Sequence, residues 1–209
     1  MIIIDVPQRS DLWFSARMGR PTASAAAKIL TSQGKKSTTW KAYMHELIAE
    51  RRGHELPRFE PNAAMLEGID REAESQAAYA FIKGFEVREV GLVIHDTLCA
   101  SASPDGLIYR DDVLLHGLEL KNPNPGTFIG EMLAKKVPAK YIPQVHMSMA
   151  VSGLDRWDYG CYLPNEEPLI HEVYRDKYTA TFETALTDFC GELEKICADL
   201  GMDKLEKAA

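Results

Sequence analysis

Ser103-Pro104-Asp105-Gly106, with Gly117-Leu118-Glu119-Leu120-Lys121 downstream, is the stretch around which the chain is organised. Fourteen positions separate Asp105 from Glu119, and Lys121 stands two beyond Glu119. Asp111-Asp112 is a turn signal between two runs with strand character, residues 107–110 and 113–121. The segment therefore predicts a β-hairpin. Side chains alternate across a strand, so Glu119 and Lys121 share a face. The hairpin can carry Asp105 to that face as well, which gathers two carboxylates beside one ammonium.

Such a trio suits metal-dependent cleavage of a phosphodiester. Hard oxygen donors suit Mg²⁺, which uses one or two carboxylates plus substrate phosphate. A bound metal polarises the phosphoryl oxygen and makes hydroxide from water. The lysine can orient that water and offset charge that builds in the transition state. Glu-x-Lys alone is common on surface hairpins, and Pro-Asp-Gly alone is an ordinary turn. The pair joined by an apolar strand is what carries the reading.

Asp105, Glu119 and Lys121 resemble the PD-(D/E)xK nuclease signature. Ser-Pro-Asp-Gly-Leu, Gly-Leu-Glu-Leu-Lys and then Tyr141-Ile-Pro-Gln144-Val resemble the phage lambda exonuclease branch, the YqaJ-type viral recombinases. The stretch from Trp13 to Ser24 extends the likeness. The resemblance implies an α+β fold with an α/β core, a restriction-endonuclease-like mixed β-sheet flanked by helices. It implies a 5′-to-3′ exonuclease that digests one strand of duplex DNA to mononucleotides and leaves a 3′ tail for a single-strand annealing protein. A ring-shaped homotrimer enclosing DNA belongs to the same expectation. Asp105 and Glu119 would ligate two Mg²⁺ ions, with Mn²⁺ as a substitute, joined by Glu72 and the Leu120 carbonyl. Lys121 would activate the water and Gln144 would help to place it. Met65 and Leu66 stand where the family carries an apolar wedge. An endonuclease of restriction or repair type would use the same residues on a different substrate. A non-catalytic DNA-end-binding module is a third reading, against which the full Asp105/Glu119/Lys121/Gln144 set argues.

The 209 residues fit a single domain, 1–209, with a sizeable core. The content, 45% hydrophobic and 26% charged, is that of an ordinary globule. No apolar run reaches membrane-spanning length. The four cysteines form no C-x-x-C pair, so a cytoplasmic protein with reduced thiols is expected, and the resemblance implies a bacterial host or a phage-infected cell. The net charge of −7 runs against the basic footprint of a DNA binder. Segregated charge would reconcile the two, with Lys35, Lys36, Lys135, Lys136 and Lys140 as groove candidates.

Ser10 predicts the cap of a short helix over residues 10–16. Thr22 predicts the cap of a second helix, residues 23–30. Arg17 just upstream and Ser24 in the first turn would seat a phosphate at its N-terminus. Ser103 ties that pocket to Asp105. Further helices are predicted over residues 39–52, 63–82, 127–136, 143–151 and 178–200, and strands over 85–95, 156–163 and 169–175. Residues 54–62 read as a connector. In the 63–82 helix Glu72 shares a partly apolar face with Gln76 and Tyr79, so it is either a third acidic ligand or an ion-pair partner of Arg71 or Lys83. Tyr141 and Gln144 share a helix face. His146 reads as a surface or interface histidine.

Overall fold

The hairpin forms where the sequence predicts it. In this computed structural model, residues 1–56 and 63–205 are described, without the side chains of residues 63–65. In chain order the elements are β1 (Ile2–Ile4), α1 (Asp11–Arg17), a 3₁₀ helix (Ala23–Lys28), α2 (Trp40–Arg51), α3 (Ala63–Asp70), α4 (Glu72–Lys83), β2 (Glu86–Arg88), β3 (Leu92–Ile94), β4 (Ser101–Ala102), β5 (Gly106–Arg110) and β6 (Val113–Lys121). There follow α5 (Pro125–Ala134), α6 (Ile142–Ser152), β7 (Arg156–Cys161), β8 (Leu169–Tyr174) and α7 (Lys177–Asp199). Asp111 and Asp112 adopt φ of 50° and 60°, the left-handed pair that a two-residue hairpin turn requires.

The hairpin is the middle of a five-stranded sheet ordered β2-β5-β6-β7-β8, beside a three-stranded sheet β1-β3-β4. The β6–β7 pair is parallel and its neighbours are antiparallel, so the sheet is mixed, as expected. The connection from β6 to β7 carries α5 and α6. On one face of β6, Leu118 and Leu120 pack with Tyr79 of α4 and with Ile108. Beyond the other face, α6 supplies Val145 and Met149 to a cluster with Trp157 and Tyr159. Gly117 leaves room for the Trp157 ring, since a Cβ there would stand 2.3 Å from it. The largest apolar cluster joins α2, α6 and α7 through Tyr43, Met44, Met147, Phe182 and Phe189. Each side chain so buried contributes about 1.5–3 kcal/mol.

Several local predictions give way to tertiary contacts. The helix expected over 63–82 is two helices, broken at Arg71 (φ −92°, ψ 0°). The Gly68 carbonyl, one turn before the break, accepts a hydrogen bond from Asn122 Nδ2 at 2.8 Å, which ties α3 to the loop after Lys121. The strand expected over 85–95 is also two, and they belong to different sheets. Between them Gly91 presses on β1's exit, where a Cβ would lie 2.2 Å from the Val6 carbonyl oxygen.

Residues 23–28 form a 3₁₀ helix, and Thr22 does not cap it; its hydroxyl lies 3.2 Å from Ser24 Oγ instead. A six-residue 3₁₀ turn offers no N-terminal dipole site, so that part of the phosphate expectation is withdrawn. Helix α5 ends at Ala134, one residue before Lys135, which closes it at φ 51°. Lys136 therefore lies off the helix, contrary to expectation. His146 is not at the surface: it is 3% exposed, because α7 covers the outer side of α6. Its Nδ1 lies 2.7 Å from Thr179 Oγ1, and burial lowers its pKa. Met65 falls on α3 with its side chain outside the described residues. Residues 57–62 of the predicted connector also lie outside them.

Candidate active site

Strand alternation and one helix start assemble the site. Glu119 and Lys121 point from β6 toward the first turn of α6, where Gln144 follows Tyr141 at the N-cap and Pro143. Proline is tolerated there because the first-turn N–H groups have no partner within the helix. Glu119 Oε1 accepts hydrogen bonds from Lys121 Nζ and, at 2.5 Å, from Gln144 Nε2. Glu119 is 2% exposed, so its charge is held by these two donors in a low-dielectric setting.

Asp105 stands just before β5. Its Oδ2 accepts the Leu120 N–H at 2.6 Å, its own N–H donates to the Leu118 carbonyl, and its carbonyl accepts from Gln76 Nε2 at 2.7 Å. The carboxyl is partly open to a cleft, but protein surrounds it on the remaining sides. Burial first, and then the charge of Glu119, push its pKa up to about 8 against the opposing pull of Lys121. For Lys121 burial lowers the pKa, but Glu119 and Asp105 together more than reverse this, so the group is an ammonium. Its Nζ also lies 5.2 Å from the centre of the Tyr141 ring.

Asp105 and Glu119 make an all-oxygen donor pair of the kind that a hard divalent cation takes. The raised pKa of Asp105 reports its burial first and the charge of Glu119 second, and a bound cation would offset both. Among the described residues, no group of three or more His, Cys, Asp or Glu side chains forms a closed metal cage. Substrate and water oxygens would complete the shell, as is usual for Mg²⁺. Glu72 lines the same cleft as Asp105, but its carboxylate is bound to Arg9 at 2.6 Å. Neither partner expected from the sequence holds it: Arg71 pairs with Glu67 and Lys83 with Glu172. The Leu120 N–H faces Asp105.

Arg17, Ser24 and Ser103 come together around Trp13. The guanidinium stacks 4.2 Å from the Trp13 ring centre and reaches Thr22 Oγ1 at 3.4 Å and Ser24 Oγ at 3.5 Å. Trp13 Nε1 donates to the Gly91 carbonyl at 2.8 Å and to Ser103 Oγ at 3.1 Å. The sequence marks no such role for Trp13, which joins both parts of the cluster. Burial pulls the Arg17 pKa down, against Tyr43 and Glu50. Among the described residues no carboxylate forms an ion pair with it, so it is a desolvated cation without an anion.

The lysines divide. Lys140 lies 4.6 Å from the Tyr141 ring centre and so sits beside the cluster. Lys135 borders a surface hollow with Glu166 and Glu167. Lys35 and Lys36 are exposed on the loop before α2, with Lys36 3.8 Å from the Trp40 ring centre.

With this geometry in view, the comparisons are specific. The YqaJ-like viral recombinase domain matches residues 12–155. The chain belongs to this family. The YqaJ-like match spans Trp13 through Gln144, all four residues of the Glu119 cluster included. An alkaline exonuclease from Laribacter hongkongensis is 34% identical, with a TM-score of 0.78 over 92% of this chain and 96% of that one. The structure of that protein, LHK-Exo, in complex with dAMP gives 29% identity and a TM-score of 0.72, over 92% and 98%. A phage-related exonuclease from Haemophilus somnus 129PT, 14% identical with a TM-score of 0.63 over 87% and 96%, shares the fold. No match was found among curated protein sequences. Among the described residues no helix is long and apolar enough to cross a membrane.

Proposed function

We propose that this chain, one domain over 1–209, is a Mg²⁺-dependent nuclease that digests one strand of linear double-stranded DNA from its 5′ end. The products would be mononucleotides and a 3′ single-stranded overhang suited to a phage-type annealing protein. The observation that carries the reading is the convergence of Asp105 with Glu119, Lys121 and Gln144 on one side of β6. The family, and a relative named as an alkaline exonuclease, support DNA as substrate and attack at ends. A ring of three copies, in the cytoplasm of a bacterium or an infected cell, would suit processive digestion.

Mg²⁺ would be held by Asp105 and Glu119 and would supply Lewis-acid polarisation and a nucleophile at neutral pH. Lys121 orients the attacking water and offsets the growing negative charge. Gln144 fixes the Glu119 carboxylate and so the position of everything attached to it. Tyr141, with Lys121 and Lys140 over its ring, offers a stacking surface beside the scissile phosphate. Lys35, Lys36, Lys135 and Lys136 would supply weaker, salt-sensitive contacts to the backbone.

Arg17, Ser24 and Ser103 would bind the terminal 5′ phosphate. Arginine grips phosphate through parallel hydrogen bonds, and among the described residues no carboxylate forms an ion pair with this guanidinium. The expected result is faster digestion of 5′-phosphorylated than of 5′-hydroxyl duplex, with most of the difference erased in Arg17→Ala. Rates must be compared at fixed salt. Equal rates on both ends in the wild type would remove the pocket. The whole proposal is tested by Mg²⁺-dependent release of acid-soluble nucleotides from linear but not closed circular duplex. Cleavage of the circle would favour an endonuclease.

A further inference from the structure

Arg9 stands on the wall of the cleft that holds Asp105, in the loop between β1 and α1. Of the described lining residues it carries the only positive charge, against Asp5, Glu72 and Glu89, with the Asp105 carboxyl beside them. The cleft measures about 400 Å³. Its loop is pinned next to the site: Gln8 Nε2 donates to the Val90 carbonyl at 3.0 Å and to the Pro104 carbonyl at 2.9 Å, one residue before Asp105. On the facing wall, Gln76 of α4 holds the Asp105 carbonyl, and Glu72 at the start of the same helix holds Arg9.

Two properties of Arg9 are not explained by stability. Its backbone sits at φ 67°. Aspartate and asparagine tolerate that region, as Asp111, Asp112 and Asn165 do, and Lys135 closes a helix there. Arg9 lacks the short polar side chain that eases this region and closes no helix, so its backbone is strained there. Its ion pair with Glu72 does not clearly offset this. The side chains are 46% and 38% exposed, and so open a pair contributes little. A cation held in a strained position by a weak bond, in an acidic cleft beside a phosphodiester-cleaving centre, is poised to change partners.

We infer that Arg9 is a ligand for a backbone phosphate of the DNA strand, kept in reserve on Glu72. When duplex binds, the guanidinium leaves Glu72 for the phosphate. The released Glu72 carboxylate then faces the cleft beside Asp105. Without DNA, Arg9 neutralises Glu72 and so weakens the attraction of the cleft for divalent cations. This inference rests on the nuclease reading above and adds to it a residue and an exchange.

The exchange predicts opposite changes in two binding measurements. Arg9→Gly permits the left-handed backbone without strain, so its melting temperature should match the wild type. Mn²⁺ alone, titrated by calorimetry, should bind Arg9→Gly about 2–10-fold more tightly, because one nearby positive charge is gone. Duplex DNA in EDTA should bind it several-fold more weakly, with a salt dependence lower by about one phosphate contact. Glu72→Gln should bind duplex in EDTA more tightly than the wild type, since Arg9 is already free. That gain should vanish in the Arg9→Gly/Glu72→Gln double variant. Arg9→Lys should keep part of the DNA affinity.

A residue with a merely structural role would lower the melting temperature and weaken both ligands together, and that result overturns the inference. So does an unchanged salt dependence in Arg9→Gly. Wild-type activity separates the two levels: no Mg²⁺-dependent nucleotide release from linear duplex would sink the nuclease reading. An active wild type beside an Arg9→Gly variant unaltered in both binding measurements would sink the exchange alone.

Discussion

Glu119→Ala and Asp105→Ala are each expected to lower nucleotide release from linear duplex by at least about 10³-fold. Loss of a carboxylate that would hold the metal is expected to remove several kcal/mol of transition-state stabilisation, and each 1.36 kcal/mol is tenfold in rate. Asp105→Asn should do the same while keeping an oxygen to accept the Leu120 N–H, so it isolates the charge from the fold. Its stability has a definite pH signature. The Asp105 carboxyl has a folded pKa of about 8 against an ordinary value of 3.8. Folding therefore takes up a proton between those values, and stability falls as pH rises through that window. In EDTA, Asp105→Asn should melt with the wild type near pH 4. It should melt several degrees higher at pH 9, where the wild type must hold a buried, charged carboxylate beside Glu119. The same linkage makes metal binding by the wild type strengthen with pH up to about 8, because the bound form must lose the proton. Normal turnover by Glu119→Ala in saturating Mg²⁺ would remove the assignment. An equal melting difference at pH 4 and pH 9 would remove the argument that the buried Asp105 carboxyl is held protonated.

Lys121→Ala should slow the chemical step by about 10²–10³-fold, the usual worth of one donor aimed at developing negative charge. The ammonium is raised in pKa by Glu119 and Asp105, so it stays charged across the working pH range and gives no pH inflection of its own. DNA affinity in Ca²⁺ should change little. Lys121→Arg should not restore the rate, since a planar fork cannot take the place of a compact ammonium against Glu119. Single-turnover digestion separates chemistry from product release and is the measurement of choice. If affinity falls in proportion while the single-turnover rate holds, Lys121 is a phosphate contact and not part of the chemistry.

Local rules carry much of this protein. The Asp111-Asp112 turn, the Ser10 cap and the two-residue period that aligns Glu119 with Lys121 depend on residues close in sequence. Their energies do not wait for the rest of the fold, so the sequence determined the hairpin and half of the site by itself. The Tyr141–Gln144 segment was also legible as a helix start. Its reach to Glu119 was not, because that contact spans 25 residues and needs β6 and β7 to pair in parallel beneath α6.

Other features were decided by the tertiary structure. Asn122 reaches Gly68 and accompanies the break between α3 and α4, although the sequence there reads as one helix. Gly91 must pass close to Val6, and this divides a continuous strand signal between two sheets. His146 is polar and near a helix start, which suggests exposure, yet α7 buries it because the apolar content of α6 runs all the way round. Glu72 reads from the sequence as a third acidic ligand or as a partner of Arg71 or Lys83 near it in the chain, and in the structure it pairs with Arg9, 63 positions distant. Periodicity reports which residues share a face of one element. It carries no information on which distant loop arrives opposite that face, and charged side chains pair with whatever the packed backbone brings within reach.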